Sequence, residues 1–397
     1  MRWPRVGPGA LVAAAFIGPG TVTTCILAGV RFGDALLWAL LFATLATIIL
    51  QEMSARIGTV AGLGLGEALR SRLRTPGLRL GAAVLITATI GFGNAAFQTG
   101  NLLGAALGAE LLLGGSLRGW ALAVALVAAA LLWRGNYRII ERALVGLVIL
   151  MSGVFVLTAL RTGAFSWATL TPLLTPSLPE GSTLVALGLV GTTVVPYNLF
   201  LHASAARERF HRQGTLTDAR VDLLIAIGAG GLVSMAILLT GARGGGADIT
   251  SAADMARHLE PLLGRWAQGF FALGLLAAGL TSAITAPLAT AWAVAGACGW
   301  AGNLRSPRFR MVWGIVLLTG ALFAASGVRP VPAILFAQAA NGLLLPVIAL
   351  FLLATANDRT LLGDARNGIL ANLFGSAIVL VTVALGLRGL LGAFGLL

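Results

Sequence analysis

The chain has 397 residues, 58% of them apolar and 10% charged, with a formal net charge of +13 and two cysteines. Apolar stretches of roughly 20 residues recur from end to end, the length a bilayer-spanning helix needs, so the composition excludes a water-soluble globular domain. All 27 positive side chains are arginine, and they lie between the apolar stretches instead of along one helical face, which sets aside a nucleic-acid surface.

In chain order these stretches read as eleven spans, at about 9–30, 34–58, 79–107, 118–133, 140–160, 183–206, 220–242, 263–297, 309–326, 330–354 and 368–387. The expected fold class is therefore all-α, a polytopic membrane protein with one transmembrane domain over 1–397. The first stretch lacks a small-residue cleavage site and reads as span 1, not as a removable signal. Alternate loops hold most of the arginines: Arg2 and Arg5, Arg56 to Arg79, Arg134 to Arg142, Arg207 to Arg220, Arg305 to Arg310, and Arg359 to Arg366. The positive-inside rule makes those loops cytoplasmic, which predicts an inner-membrane protein with its N-terminus inside and its C-terminus outside. Cys25 and Cys298 fall in apolar segments as small packing residues and imply no disulfide.

Two spans are unlike the rest. Span 1 carries Gly18-Pro19-Gly20-Thr21 at mid-depth, and span 6 carries Gly191-Thr192-Thr193-Val194-Val195-Pro196-Tyr197-Asn198. A proline removes a backbone donor and glycine has little helical preference, so both helices are expected to unwind there. Five spans separate the two breaks, and an odd repeat length inverts the second copy. The pattern predicts repeats over about 9–160 and 183–354, with an extra helix at about 368–387. Half-helix ends would then meet near the midplane, offering the carbonyls of Ala15 and Thr192 and the amides of Gly20 and Thr21. A pair of proline kinks with no ligand is the other reading of the same residues.

At these residues the sequence resembles the natural-resistance-associated macrophage protein (Nramp) family of proton-coupled divalent-metal transporters, which share the leucine-transporter type of fold. The resemblance runs through Gly7-Pro8-Gly9, Ala13 to Gly20, Gly29 to Gly33, Ile49 to Arg56, Pro196 to His202, Gln338 and Leu345-Pro346. It implies a secondary transporter with a midplane site. Members that carry transition metals have Asp-Pro-Gly-Asn in span 1 and Met-Pro-His in span 6, where this chain has Gly18-Pro19-Gly20-Thr21 and Val195-Pro196-Tyr197. The acidic positions of span 3 align with Gln98 and Asn101, and the span 6 histidine aligns with Tyr197. No carboxylate falls near the centre of any span, so a bare divalent ion would meet no negative charge.

The expected substrate site is therefore polar and neutral: Ala15, Gly18, Gly20, Thr21, Gln98, Asn101, Thr192, Val195, Tyr197, Gln338 and Asn341, with no fixed metal ligands and no cofactor. Gln338 and Asn341 are three apart on one face of span 10, where hydrogen bonding between helices is the competing role. This lining suits a small neutral or anionic solute. A divalent cation such as magnesium or manganese that keeps part of its water shell is the alternative, and a non-transporting receptor or sensor is a third reading. His202 is a candidate for gating or proton relay, whereas His211 and His258 read as solvated loop residues. Thr281, Ser282 and Thr285 in span 8 suit close helix packing, and Arg308 and Arg310 suit solvated anchoring. No Ser–His–Asp grouping, metal-ligand spacing or phosphate loop is present, so an enzyme is not expected. The partners implied are a small solute or ion and the lipid bilayer, with no nucleic acid; a monomer is compatible with the pattern.

Overall fold

A computed structural model describes residues 17–135, 138–211, 215–244, 249–300 and 302–393. Ten helices among the described residues are long and apolar enough to cross a membrane. They correspond in order to the expected spans 2 to 11. The residues expected to open span 1 lie outside the described ones, but its second part is a helix, Pro19–Phe32, with all residues from Pro19 to Gly29 buried. The chain is thus all-helical and multi-pass.

The boundaries differ where local chemistry overrides the hydropathy pattern. Span 2 is helical over Leu37–Arg56 and continues as a π-helical turn, Ile57–Ala61, which stops at Gly62 with φ 66°. That left-handed conformation is open to glycine at little cost. A short helix, Leu65–Arg72, follows, and span 3 then runs over Pro76–Leu113, 38 residues against the shorter stretch expected. Pro76 starts it, because a proline in the first turn lacks only a donor that would be orphaned anyway. Spans 4 and 5 are Leu117–Arg134 and Arg138–Arg161, and span 7 is Leu216–Arg243. Spans 8 to 11 are Ala267–Cys298, Pro307–Ala325, Pro330–Ala356 and Ile369–Ala393.

Span 6 is broken as expected, into Thr183–Thr193 and Pro196–Phe210. Val194 (φ −95°, ψ 71°) and Val195 (φ −76°, ψ 121°) leave the helical region between the halves. A residue before proline is pushed towards extended backbone, which is what Val195 adopts.

Lipid tails are as apolar as leucine, so these helices associate through close packing of small residues instead of exclusion of apolar surface from water. Gly29 of span 1 lies against the backbone of Leu238 and Ala242 in span 7, and Gly279 of span 8 against Ala105 in span 3. Gly191 lies against the carbonyl of Gln338 and the amide of Gly342 in span 10. The hydroxyls of Thr281 and Thr285 donate to the carbonyls of Ala277 and Thr281 on their own helix, which fits the packing role expected for that face. The side of the bundle away from this core exposes large apolar residues, such as Leu126 (71%) and Ile225 (68%), as a lipid-facing surface requires.

One loop expectation is corrected, and two gain detail. His258 is 6% exposed and packs against Gly244, and burial, followed by the neighbouring Arg257, pushes its imidazole pKa below the usual histidine range despite Asp254. It is a packed residue, not a solvated one. His211 is exposed, but its Nδ1 lies 2.9 Å from the Thr59 carbonyl and its ring covers Gly62. Arg308 and Arg310 are anchored on indoles, with guanidinium carbons 5.6 Å from the Trp300 ring centre and 4.0 Å from that of Trp133.

Candidate substrate site

The site begins with what two prolines remove. Pro196 has no N–H to donate to the carbonyl four residues back, so Thr192 loses its helical partner at the break. Pro19 stands in the same relation to Ala15, which lies outside the described residues. Gly18 is extended (φ −97°, ψ −178°) and caps the helix that starts at Pro19, its carbonyl accepting from the Val22 amide at 3.2 Å. Gly20 and Thr21 follow Pro19 in the first turn of this half-helix, whose amides point towards the break.

The two half-helices meet through their hydroxyls: Thr21 Oγ1 and Thr192 Oγ1 are 2.7 Å apart, both side chains fully buried. Gln338 of span 10 projects beside them. Its amide occupies the space left by Gly20 and approaches Gly100, and its Cβ approaches Gly188, so glycines of spans 1, 3 and 6 make room for one glutamine. Gln338 is completely buried, yet neither amide atom has a hydrogen-bond partner among the described residues. Asn341 is 1% exposed, its Oδ1 faces Gly93 of span 3, and its Nδ2 has no partner.

Tyr197 is buried with a partnerless hydroxyl, its ring set edge-on to Phe97 at 5.6 Å between centroids. Val195 caps the second half of span 6, its carbonyl accepting from the Asn198 backbone amide at 3.0 Å, and its side chain brings no polar atom. Each buried orphan polar group costs about 1–3 kcal/mol, so a cluster of them marks a place where water or a ligand belongs.

Gln98 has a different position from its neighbours. Pro287 lies inside span 8 and cannot donate to the Ala283 carbonyl. Gln98 Nε2 donates to that carbonyl at 3.1 Å, and its Oε1 accepts from Asn101 Nδ2 at 3.4 Å. Asn101 Oδ1 is left without a partner. Gln98 therefore holds span 8 and positions Asn101, while Asn101 retains an unused acceptor. Nothing in the local sequence of span 3 signals this, because the carbonyl it satisfies is 185 residues away.

Sequence reasoning left out Asn198, which is 1% exposed with both amide atoms partnerless. Its signal was present, a polar amide two residues after the break proline. Thr47 of span 2 was also missed; its hydroxyl reaches the Thr193 carbonyl at 3.3 Å and ties span 2 to the break. His202 is 1% exposed within the second half of span 6, and neither ring nitrogen has a partner.

Towards one end of the bundle, a cavity of about 240 Å³ opens between Leu65–Arg72, the second half of span 6 and the end of span 8. Thr285, two residues past Ala283, lines it together with Phe200 and Ser204, and Arg207 Nη1 donates to Glu67 Oε2 across it at 2.6 Å. Charge belongs to this vestibule; the residues around the breaks are neutral. Among the described residues no group of three or more His, Cys, Asp or Glu is placed to hold a metal ion.

Comparison with known proteins follows the same lines. The sequence is 30% identical to "Divalent metal cation transporter MntH" of Verminephrobacter eiseniae over 99% of this chain and 92% of that protein. It is 31% identical to the protein of the same name from Acidiphilium cryptum, over 94% of this chain and 88% of the relative. In structure it is similar to a mutant of the Eremococcus coleocola manganese transporter, with TM-score 0.77 at 21% identity, over 98% of this chain and 87% of that one. It also matches MhsT in complex with L-phenylalanine, with TM-score 0.64 at 14% identity, over 98% and 99% of the two chains. The family profile described as "Natural resistance-associated macrophage protein-like" matches residues 9–392. This chain therefore belongs to the Nramp family, a multi-pass membrane transporter family, and has the leucine-transporter type of fold.

Proposed function

We propose that the chain is a secondary transporter of a divalent cation, magnesium or manganese, which it binds with part of the water shell retained. The relatives are named for divalent metal cations and the structural neighbour for manganese, which favours a cation over the neutral or anionic solute that the lost ligands first suggested. The site chemistry then limits how such an ion can be held. Stripping a divalent ion of water in a buried pocket without a carboxylate is strongly unfavourable, whereas hydroxyls, amides and carbonyls can bind the retained waters. The single observation that carries this reading is the convergence of Thr21, Thr192, Gln338, Asn101 and Tyr197 at the breaks, with orphaned polar atoms on the last three.

In this reading the helices of spans 1 and 6 rock around the breaks and expose the site to each side in turn. The arginine-rich end, with the Glu67–Arg207 cavity, is the cytoplasmic vestibule of an inner-membrane protein whose N-terminus is inside. His202 lies between the breaks and that vestibule along the second half of span 6 and acts in gating or proton relay. Uptake of magnesium and manganese into liposomes by the purified chain tests the function. Both ions should enter, and Gln338→Leu or Thr21→Val should lower uptake at least about tenfold, the effect of losing roughly 1.4 kcal/mol of site stabilisation. Entry of neither ion, with a small neutral or anionic solute accumulating instead, would overturn the proposal.

A further inference from the structure

Beside the vestibule is a second cavity, of about 330 Å³, where span 3 begins and span 8 ends. Its rim is basic and its floor apolar: Arg70 and Arg79 stand over Leu80, Ala83, Cys298 and Trp300, and no lining residue is acidic. It opens to the outside of the bundle, since Leu80 is 67% exposed and the same face of span 3 continues outward one turn on with Val84 at 59%. Both arginines are held in place by backbone: Arg70 Nη1 donates to the Cys298 carbonyl at 3.1 Å, and Arg79 Nε to the Leu73 carbonyl at 2.6 Å. Gly299, with φ 72°, brings its backbone against the Arg70 guanidinium, which a side chain at that position would displace. Arg308 adds a third guanidinium over the Trp300 ring at 5.6 Å.

We propose that this groove binds an anionic phospholipid, its phosphate between Arg70 and Arg79 and one acyl chain along Leu80, Ala83 and Val84. Guanidinium groups held by backbone carbonyls and with no ion-pair partner among the described residues suit a phosphate, and the indole of Trp300 suits the depth of the headgroups. A free phosphate would leave the apolar floor unmatched, whereas a lipid fills both parts of the groove. The site is separate from the breaks and does not depend on the transported substrate.

Cys298 lines the groove and is partly exposed, whereas Cys25 is fully buried, so a membrane-permeant maleimide reports on Cys298. The full chain is placed in nanodiscs of phosphatidylcholine alone or mixed with phosphatidylglycerol, and alkylation is followed by intact mass. Phosphatidylglycerol should slow the reaction at least about fivefold, the factor one arginine is worth near an anionic lipid surface. Inorganic phosphate added to phosphatidylcholine discs should not slow it. Arg70→Gln with Arg79→Gln should abolish the protection, and Arg79→Lys should keep most of it. Equal rates in the two lipids, protection by phosphate alone, or protection that survives the double substitution would each overturn the proposal; the comparison of lipids on the unmodified chain stands even where a variant fails to fold.

Discussion

The bond from Gln98 to Ala283 gives a prediction that the backbone alone dictates. Gln98→Leu keeps the side-chain volume close to native but leaves the Ala283 carbonyl, already stripped of its helical donor by Pro287, with nothing to accept from. A buried carbonyl left unsatisfied costs about 1–3 kcal/mol, so the variant should lose that much stability. Pro287→Ala restores the helical N–H. In that background the carbonyl is satisfied internally, and Gln98→Leu should cost about 1 kcal/mol or less. The two substitutions thus form a double-mutant cycle with a coupling of about 1–2 kcal/mol, well above the ~0.5 kcal/mol scatter of independent sites. Reversible unfolding of the four proteins in mixed micelles measures it. Additive effects would refute the claim that the proline creates the vacancy that the glutamine fills.

Other consequences follow from individual residues. Gly191→Ala would drive a methyl group into the backbone of Gln338 and Gly342, so the first half of span 6 should move off span 10, with stability falling by about 1–3 kcal/mol and liposome uptake lost. The Asp358 carboxyl is held below the usual carboxylate range by the Thr360 hydroxyl first, then by backbone amides and Arg72, against the opposing effect of its partial burial. Its contribution is therefore present above the unfolded value of about 4 and is lost as pH falls through the lower folded value. Asp358→Asn should lower the melting temperature at neutral pH, and the gap to the parent protein should close as melting is followed downward from about pH 4. Finally, Gly18→Asp with Thr21→Asn, Val195→Met and Tyr197→His supplies carboxylate, thioether and imidazole at the breaks, and calorimetry should then detect tight manganese binding.

The fold was legible because its determinants are local. Runs of apolar residues mark the spans, Pro196 after Gly191 marks the broken helix, and the same arithmetic places Gly18-Pro19-Gly20 at the start of a buried half-helix. Span 3 outran its expected length because Pro76 starts a helix as readily as it stops one and only Gly114 ends it. Side-chain roles were less legible, since they depend on pairs distant in sequence. Thr21 meets Thr192, 171 residues away, and Gln98 answers to a proline in another span. Gln338 was identifiable as a polar residue in an apolar helix, but only the three glycines that face it show where its amide sits. His258 sits among charged residues in sequence and is nonetheless buried, because Gly244 leaves the space for its ring.

The central claim is that hydration water, not a fixed anionic ligand, mediates the hold on the transported ion. Competition between magnesium and manganese during uptake by the unmodified chain in liposomes tests it most directly. Neutral oxygen donors acting through water do not sense ligand softness, so half-saturation for the two ions should agree within about tenfold. A manganese preference of about a hundredfold or more would require direct soft or anionic ligation at the breaks and would contradict the account.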